Sequence, residues 1–289
     1  MARLGYVGLG IMGGPMARHL ATAQHSMTVF NRTTAKADAW VSEHGGARVL
    51  TPREVALASD IVLMCVGNDD DVRSVVFGAD GILAGLKTGG ILVDHTTASA
   101  TIAREIADAC AKQGCGFVDA PVSGGQAGAE NGQLTIMCGS NDPATFGAIE
   151  PIIAAYAKRS KLLGTAGSGQ LAKMVNQICI AGIAQGLSEA LNFAMRAGLN
   201  PDDVVDVISK GAAQSWQMEN RAKTMVRDEF EFGFAVEWMR KDLGICFDEA
   251  SRNGAQLPMT EMVDKFYEEV VAMGGKRWDT SSLIARLTD

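Results

Sequence analysis

The feature that most constrains the fold is an alternation of short apolar runs with helical stretches in the first part of the chain. Six runs have strand character: RLGYVGLG, MTVFNR, DIVLMCV, GILVDHT, GFVDAPV and LTIMCGS. Strands that alternate with helices at this spacing are typical of a doubly wound parallel sheet. We therefore predict an α/β domain of this kind over residues 1–163.

The pattern changes after residue 163, where the strand signals stop. An apolar stretch over about 168–197 predicts one long connecting helix, which ends at the sequence AGLNP. Helical patterns continue beyond it, so residues 164–289 are predicted to form an all-α domain for substrate binding and oligomerisation. Because a helix that is apolar on most faces needs burial on most sides, we expect a homodimer or homotetramer.

Composition excludes several classes of function. The net charge of −7 supplies no basic stripe for nucleic acid. The longest uncharged stretch, residues 174–188, is too short and too polar to span a bilayer. The cysteines form no CxxC pairs and no signal peptide is evident, so reduced thiols and a cytoplasmic location are expected. The histidines lack the spacing of metal ligands, and no metal is expected.

A glycine-rich loop follows the first predicted strand and opens a helix. Its glycines, Gly8, Gly10 and Gly13, form the pattern GxGxxG. In a Rossmann-like domain the first glycine makes a tight turn, the second lets the backbone approach a pyrophosphate, and the third packs helix on strand. The alternative is a merely structural turn. The loop residues predicted to bind a dinucleotide are Gly8, Leu9, Gly10, Ile11, Met12 and Gly13.

The end of the second strand indicates which dinucleotide is bound. An NAD site would place Asp or Glu there to accept a hydrogen bond from the ribose 2′-hydroxyl. This chain has Asn31, Arg32 and Thr33 instead. Arg32 can pair with a 2′-phosphate, helped by the amide donor of Asn31 and the hydroxyl donor of Thr33. NADP(H) is therefore the preferred cofactor, with NAD(H) possible. The alternative is a solvated arginine in a turn.

Reduction of a carbonyl by a nicotinamide requires a proton donor, and most common donors are missing. No histidine follows residue 95, no tyrosine begins a YxxxK motif, and zinc ligands are absent. Lys173 is the remaining candidate, since between Lys161 and Glu189 it is the only ionisable side chain apart from Cys179. Desolvation on such an apolar helix would lower its pKa towards neutrality, which suits proton transfer.

Four motifs together resemble the β-hydroxyacid dehydrogenase family. They are GLGIMGGPMARHL, DAPVSGG (119–125), GSGQLAKMVNQ (167–177) and RKDLG (240–244), and they span nearly the whole chain. The family includes 3-hydroxyisobutyrate dehydrogenases, tartronate semialdehyde reductases and glyoxylate/succinic semialdehyde reductases. The resemblance implies hydride transfer between NADP(H) and a small β-hydroxyacid or aldehyde-acid carrying a carboxylate, with Lys173 as general acid/base.

The resemblance also implies roles for further residues. Substrate would be held by Ser123, Gly124 and Gly125, and the cofactor would be contacted by Cys65, Val66, Thr97 and Lys241. Thr96 could exchange roles with Thr97. Many relatives carry an asparagine four residues after the lysine, where this chain has Gln177, with Asn176 one position earlier. Either amide could contact substrate, since both lie about one helical turn from Lys173.

Three alternatives remain. The first is imine reductase-like activity on the same fold, which Lys173 argues against because such enzymes typically replace the lysine. The second is a non-catalytic NADPH-binding interaction module, for which loss of the lysine would be the signature. A 6-phosphogluconate dehydrogenase is less favoured, because the chain is short. Substrate specificity is expected in the helical domain at Gln214, Ser215, Trp216 and Arg221, although Trp216 could instead be a core residue.

Overall fold

The computed structural model describes residues 1–288, and its contacts divide the chain into two compact units, Met1–Lys173 and Met174–Asp289. The sequence placed the boundary between residues 163 and 164, in front of the long helix. The contact-based division falls inside this helix, whose start is held to the first unit by hydrogen bonds from the Gly167 and Gln170 amides to Asp119.

The first unit contains one nine-stranded sheet. Its strands are β1 (Arg3–Val7), β2 (Ser26–Phe30), β3 (Ala47–Arg48), β4 (Ile61–Met64), β5 (Ile91–Asp94), β6 (Gly116–Asp119), β7 (Val122–Ser123), β8 (Leu134–Gly139) and β9 (Ala157–Gly164). Their order is β3-β2-β1-β4-β5-β6-β8-β7, and β9 pairs with β8. Strands β1 to β6 run parallel to one another, whereas β8 is antiparallel to β6 and β7.

The six predicted strands correspond to β1, β2, β4, β5, β6 and β8, which confirms the α/β, Rossmann-like prediction. The expectation of an all-parallel sheet was wrong for β8. Strands β3 and β7 are only two residues long and were not predicted. Strand β9 was missed because its sequence, AKRSKLLG, is half-buried or exposed along its whole length and therefore lacks an apolar run.

Eight helices cover this sheet. They are α1 (Gly13–Thr22), α2 (Thr34–His44), α3 (Pro52–Ala58), α4 (Asp69–Val76), α5 (Ile82–Gly85), α6 (Ala100–Lys112), α7 (Gly125–Glu130) and α8 (Pro143–Ile153). Because successive side chains of a strand point to opposite faces, Leu63 of β4 joins one apolar cluster and its neighbours Val62 and Met64 join another. The sheet thus has a core on each face, as a doubly wound fold requires.

The second unit is helical. Helix α9 (Ser168–Arg196) confirms the predicted long helix, and it is followed by α10 (Pro201–Ile208), α11 (Trp216–Val226), α12 (Val236–Asn253), α13 (Pro258–Ala272) and α14 (Ala285–Thr288). Two 3₁₀-helices, Gly275–Arg277 and Thr280–Ile284, precede α14. Apolar side chains of α9, α12 and α13 form one core, among them Ala181, Met239 and Tyr267.

Helix α9 also meets a criterion that the sequence analysis had judged unmet. By length and composition alone it could cross a bilayer, although buried helices of soluble proteins pass the same test. Length and composition alone are therefore weak evidence that the helix spans a membrane.

Candidate active site

In the glycine loop, backbone segments lie so close together that a side chain would not fit between them. Gly8 has a φ of +95°, and a Cβ there would lie 2.2 Å from the carbonyl oxygen of Cys65. A Cβ at Gly13 would lie 2.0 Å from the carbonyl oxygen of Gly8. At Gly10, by contrast, a Cβ would meet no atom of residues 1–288 within 4 Å. The backbone at Gly10 is therefore open to a ligand, whereas Gly8 and Gly13 hold the turn.

The other loop residues lead into α1. The side chain of Leu9 is buried, Ile11 is exposed and Met12 is half-buried. Met12 is the N-cap of α1, and its side chain makes no capping hydrogen bond within the described chain. Because the amides of a helix N-terminus favour anions, the loop and the start of α1 fit a pyrophosphate.

Asn31, at the end of β2, connects this loop to the following turn. Its Oδ1 accepts a hydrogen bond from the Leu9 amide at 2.9 Å, and its Nδ2 donates to the carbonyl oxygen of Thr33 at 3.0 Å. The sequence predicted a donor to the cofactor phosphate at this position. The structure gives Asn31 a holding role within the protein, while Thr33 is the exposed N-cap of α2.

Arg32 has a partner that the sequence analysis missed. Its Nη1 lies 3.0 Å from Oδ1 of Asp71, and 87% of its side chain is exposed. Asp71 belongs to the first turn of α4, where its amide donates to the side chain of the N-cap residue, Asn68. The guanidinium can therefore reorient towards solvent. If it binds a phosphate, it must give up the Asp71 carboxylate in exchange.

The turns after β4 and β5 contact each other beside the glycine loop. The Cys65 amide donates to the carbonyl oxygen of Val7, and the Val66 amide donates to Oγ1 of Thr96, each at 3.0 Å. Thr96 is buried and Thr97 is half-buried. Of the two threonines, Thr97 therefore presents the accessible surface, as the sequence analysis preferred.

These turns lie where a doubly wound sheet binds its ligands. The chain leaves β1 for β2 on one side and later returns to place β4 on the other side of β1. Such a switch point opens a crevice at the carboxyl ends of the strands. The glycine loop follows β1, Cys65 and Val66 follow β4, and Thr97 follows β5, so the predicted cofactor residues of the first unit meet at this edge.

The start of α9 is fixed to the same edge by Asp119, the last residue of β6. Its Oδ1 accepts from the Gly167 amide at 2.7 Å, and its Oδ2 accepts from the Gln170 amide at 2.9 Å. A Cβ at Gly169 would lie 2.4 Å from the carbonyl oxygen of Met137, so only glycine fits this approach. Burial raises the pKa of Asp119 to about 6, and the Gly167 and Gln170 amides oppose that rise.

Gln170 adds two side-chain hydrogen bonds at the same place. Its Nε2 donates to the carbonyl oxygen of Thr96 at 2.7 Å, and its Oε1 accepts from the Ala98 amide at 3.1 Å. Lys173 follows three residues later on α9 and is only 8% exposed. The lysine that the sequence singled out is thus buried, and its helix is attached to the loop containing Thr97.

Two other ionisable groups are buried near this edge. Asp94, paired with Asp119 across β5 and β6, accepts from the Thr96 amide at 2.8 Å, and burial raises its pKa to about 7. His95 donates from Nδ1 to the carbonyl oxygen of Ala120, and its Nε2 accepts from the Tyr156 hydroxyl. Burial lowers the pKa of His95 to about 4, which favours the neutral ring.

The SGG segment forms the turn between β7 and α7. Ser123 pairs with Thr135 of β8. Gly124 and Gly125 have φ values of +132° and +62°, which favour glycine over other residues. The segment predicted to hold substrate is therefore a glycine-dependent turn in the first unit.

The second unit holds a network of polar groups around Asp242. Gln177 is buried; its Oε1 accepts from Nδ2 of Asn176 at 2.8 Å and its Nε2 donates to Oδ2 of Asp242 at 2.6 Å. Nζ of Lys241 lies 2.9 Å from Oδ1 of Asp242. Both ends of the Gln177 amide are thus engaged by the protein, and the half-buried Asn176 is engaged by Gln177 in turn. Asp242 was missed, although it lies within the RKDLG motif.

The segment expected to set specificity lies at the start of α11. Trp216 is 48% exposed, which excludes the alternative that it is a core residue. The Arg221 guanidinium lies 4.8 Å from the Trp216 ring centroid and donates to Asp279. Ser215 is the N-cap, which accepts from the Met218 amide. Gln214 is exposed. Among residues 1–288, no group of three or more His, Cys, Asp or Glu could hold a metal ion.

Comparison with known proteins places the chain in a family. Residues 3–167 match the NAD-binding domain of 6-phosphogluconate dehydrogenase, and residues 167–287 match the NAD-binding region of NADP-dependent 3-hydroxyisobutyrate dehydrogenase. An uncharacterized oxidoreductase of Shewanella frigidimarina is 60% identical over 99% of this chain and 98% of its own length. The chain belongs to the β-hydroxyacid dehydrogenase family.

Other members of the β-hydroxyacid dehydrogenase family agree over the full chain. The 2-hydroxy-3-oxopropionate reductase of Escherichia coli is 35% identical over 99% of this chain and 97% of its own length. A Mycobacterium tuberculosis 3-hydroxyisobutyrate dehydrogenase, solved with L-serine, superposes with a TM-score of 0.90 at 28% identity, covering both chains completely. The protein is accordingly an NAD(P)-dependent β-hydroxyacid dehydrogenase.

Proposed function

We propose that this dehydrogenase prefers NADP(H) and interconverts a small β-hydroxyacid and its aldehyde-acid, with Lys173 as the general acid/base. The observation that carries the proposal is the placement of Lys173. It is buried on a helix whose start hydrogen-bonds to Asp119 and to the loop that contains Thr97. In the same unit, that loop bonds to Val66 in the turn after β4, and Cys65 of this turn bonds to Val7 at the end of β1.

The residues of the first unit are proposed to serve either cofactor binding or proton transfer. A bound nicotinamide supplies or accepts the hydride. The glycine loop and the start of α1 would hold its pyrophosphate, and Cys65, Val66 and Thr97 would line its cleft. Lys173 would donate a proton to the carbonyl oxygen during reduction, and its ammonium would stabilise the developing alkoxide. In the reverse direction the neutral amine would take the hydroxyl proton.

Preference for NADP(H) rests on the turn after β2. No carboxylate ends this strand, and the exposed Arg32 can reach a 2′-phosphate by exchanging Asp71 for it. The NADP-dependent family that matches the second unit supports the same choice. Asn31 would hold the turn, Thr33 would offer its hydroxyl, and Lys241 of the second unit would contact the cofactor. Binding of NAD(H) remains compatible with the same cleft.

The substrate is proposed to be a small acid. The Escherichia coli relative is named for an aldehyde-acid, 2-hydroxy-3-oxopropionate, and the Mycobacterium tuberculosis structure holds L-serine, a 3-hydroxyacid. Ser123, Gly124 and Gly125, with Asn176 or Gln177, are proposed to bind the carboxylate-bearing substrate. A panel of C2 to C4 aldehyde-acids assayed with NADPH and NADH tests this. Reduction of none of them, with a different carbonyl class accepted instead, would overturn the substrate assignment.

An imine reductase-like activity is the second candidate, and the retained Lys173 argues against it. Reduction of cyclic imines faster than of any aldehyde-acid in the panel would reverse this preference. The non-catalytic binding module is not retained, because the named relatives are dehydrogenases or reductases.

We further propose a homodimer or homotetramer formed through the helical unit. One face of α9 exposes Val175, Ile183 and Phe193, at 62%, 41% and 72%, and α13 exposes Met259 and Met262. Large apolar side chains clustered on one surface mark association sites more often than chance exposure. Sedimentation of a 30.4 kDa monomer at micromolar concentration would contradict this proposal.

A cytoplasmic location is proposed as well. None of the six cysteines forms a disulfide among residues 1–288, which suits a reducing compartment. Fractionation of cells that produce the protein, followed by immunoblotting, tests it. Recovery in a secreted or membrane fraction would contradict it.

A further inference from the structure

Gln170 makes an unusual pair of contacts for a buried side chain in the first turn of a helix. It is 1% exposed, and its amide bonds to the carbonyl oxygen of Thr96 and to the amide of Ala98. These two groups flank Thr97 on both sides. A single side chain thus holds the backbone around the residue that is proposed to contact the cofactor.

The same residue is held at its backbone by a buried carboxylate. Its amide donates to Oδ2 of Asp119, whose Oδ1 accepts from the Gly167 amide. In an α-helix, residues three apart lie on neighbouring positions of one face, so Lys173 lies next to Gln170 along α9. Rotation or translation of the first turn would move both residues together.

We propose that Gln170 is a positioning residue, which fixes Lys173 relative to the loop that contains Thr97. The inference rests on the proposed acid/base role of Lys173. A proton donor works only within hydrogen-bond reach of the reacting oxygen, and a displacement of about 1 Å can cost ~10²-fold in rate. Two bonds to one loop, made by a side chain with no charge of its own, fix this distance without adding a competing ionisable group.

The variant Gln170→Met tests the proposal, because methionine has a similar length and cannot form either bond. We expect kcat to fall by ~10- to 100-fold, in line with the cost of misplacement, while the Kd for NADPH changes by less than about threefold. The matched control is Gln185→Met. Gln185 is a buried glutamine of the same helix whose amide bonds to Glu189, and its replacement should leave kcat unchanged.

A milder variant covers the case in which Gln170→Met does not fold. Gln170→Asn keeps the uncharged amide on a side chain one methylene shorter, which can reach at most one of the two partners, so kcat should fall by a smaller factor of ~3 to 10. For each variant that folds, the primary isotope effect from 4-deuterated NADPH should equal or exceed that of the wild type, since a misplaced donor slows the chemical step. A kcat equal to that of the Gln185→Met control would overturn the proposal.

A double-mutant cycle tests the role of Gln170 separately from the proposed acid/base role of Lys173. If Gln170 acts through Lys173, adding Gln170→Met to Lys173→Ala should lower the residual rate by less than about threefold. If Gln170→Met lowers the rate by the same factor in the wild type and in Lys173→Ala, Gln170 acts independently of Lys173, and only the inference is refuted. A Lys173→Ala enzyme with near wild-type kcat would refute both the proposed function and the inference. An NADPH Kd raised as much as kcat is lowered would assign Gln170 to cofactor binding only.

Discussion

The start of α9 and the turn after β2 both carry a cation proposed to act in the reaction, but they hold it differently. At α9 the helix start is fixed by Asp119 and Gln170 through buried hydrogen bonds, and Lys173 is buried. After β2 the Asn31 side chain hydrogen-bonds to the Leu9 backbone amide, while the solvent-exposed Arg32 forms an ion pair with Asp71. Buried hydrogen bonds are strong and costly to break, whereas exposed ion pairs are weak and screened by salt. We therefore expect substitutions at the start of α9 to lower the reaction rate strongly, and substitutions in the turn after β2 to change the cofactor preference easily.

The largest effect is expected from Lys173→Ala. Loss of a general acid typically lowers the rate by ~10²–10⁴-fold. NADPH binding, which depends on the glycine loop and the β2 turn, should remain nearly intact. Steady-state kinetics combined with fluorescence titration of NADPH measures both. A variant that kept more than about a tenth of wild-type kcat, which is well inside the range above, would refute the assignment.

A second prediction concerns the buried acids beside α9. The pKa of Asp94 is raised by burial from 3.8 to about 7 in the folded protein. A raised folded pKa means that the stability contributed by this group is complete below about pH 4 and is lost as the pH rises through about 7. At 1.36 kcal/mol per pH unit the loss is at most ~4 kcal/mol.

Asp94→Asn removes this titration and keeps an oxygen that can accept from the Thr96 amide. The variant should therefore gain Tm relative to wild type at pH 8 and gain less, or lose, at pH 5. Differential scanning fluorimetry at the two pH values measures the change. A difference between variant and wild type that does not depend on pH would show that Asp94 does not titrate in this interval.

Arg32→Ala tests the exposed turn. Charge-assisted hydrogen bonds contribute ~1.5–3 kcal/mol each, and exposure places Arg32 at the low end of that range. The Kd for NADPH should rise by roughly 10-fold, while the Kd for NADH should change little. Adding Asn31→Asp should move preference further towards NADH. Wild-type enzyme that binds NADH as tightly as NADPH would show that this turn does not recognise the phosphate.

The smallest effect is expected from Asp71→Asn. Asp71 pairs with Arg32 at 3.0 Å and would repel a 2′-phosphate brought to the same guanidinium. Because exposed pairs are worth ~0–1 kcal/mol, removal of the carboxylate should tighten NADPH binding by up to about fivefold. The neighbouring Asp70→Asn variant is the matched control. Weaker NADPH binding in Asp71→Asn than in Asp70→Asn would mean that Asp71 supports Arg32 rather than competing for it.

The two regions also differ in how far the sequence predicted them. Periodicity and the glycine pattern are local signals, and they predicted six strands, the long helix and the loop at Gly8. The contacts that place Lys173 join residues far apart in the chain, such as Asp119 with Gln170, which no local pattern reveals. The pairing of Arg32 with Asp71 is of the same kind. Motifs therefore identified the reactive residues, while the residues that hold them became visible only in the fold.

The pH dependence of kcat/KM for aldehyde-acid reduction, compared between wild type and Lys173→Ala, tests the central assignment most directly. If Lys173 donates the proton, the wild-type rate should fall on the alkaline side as one group loses a proton. That alkaline limb should be absent from the residual activity of the variant. A variant that is slower at every pH but keeps the same alkaline limb would show that another group donates the proton.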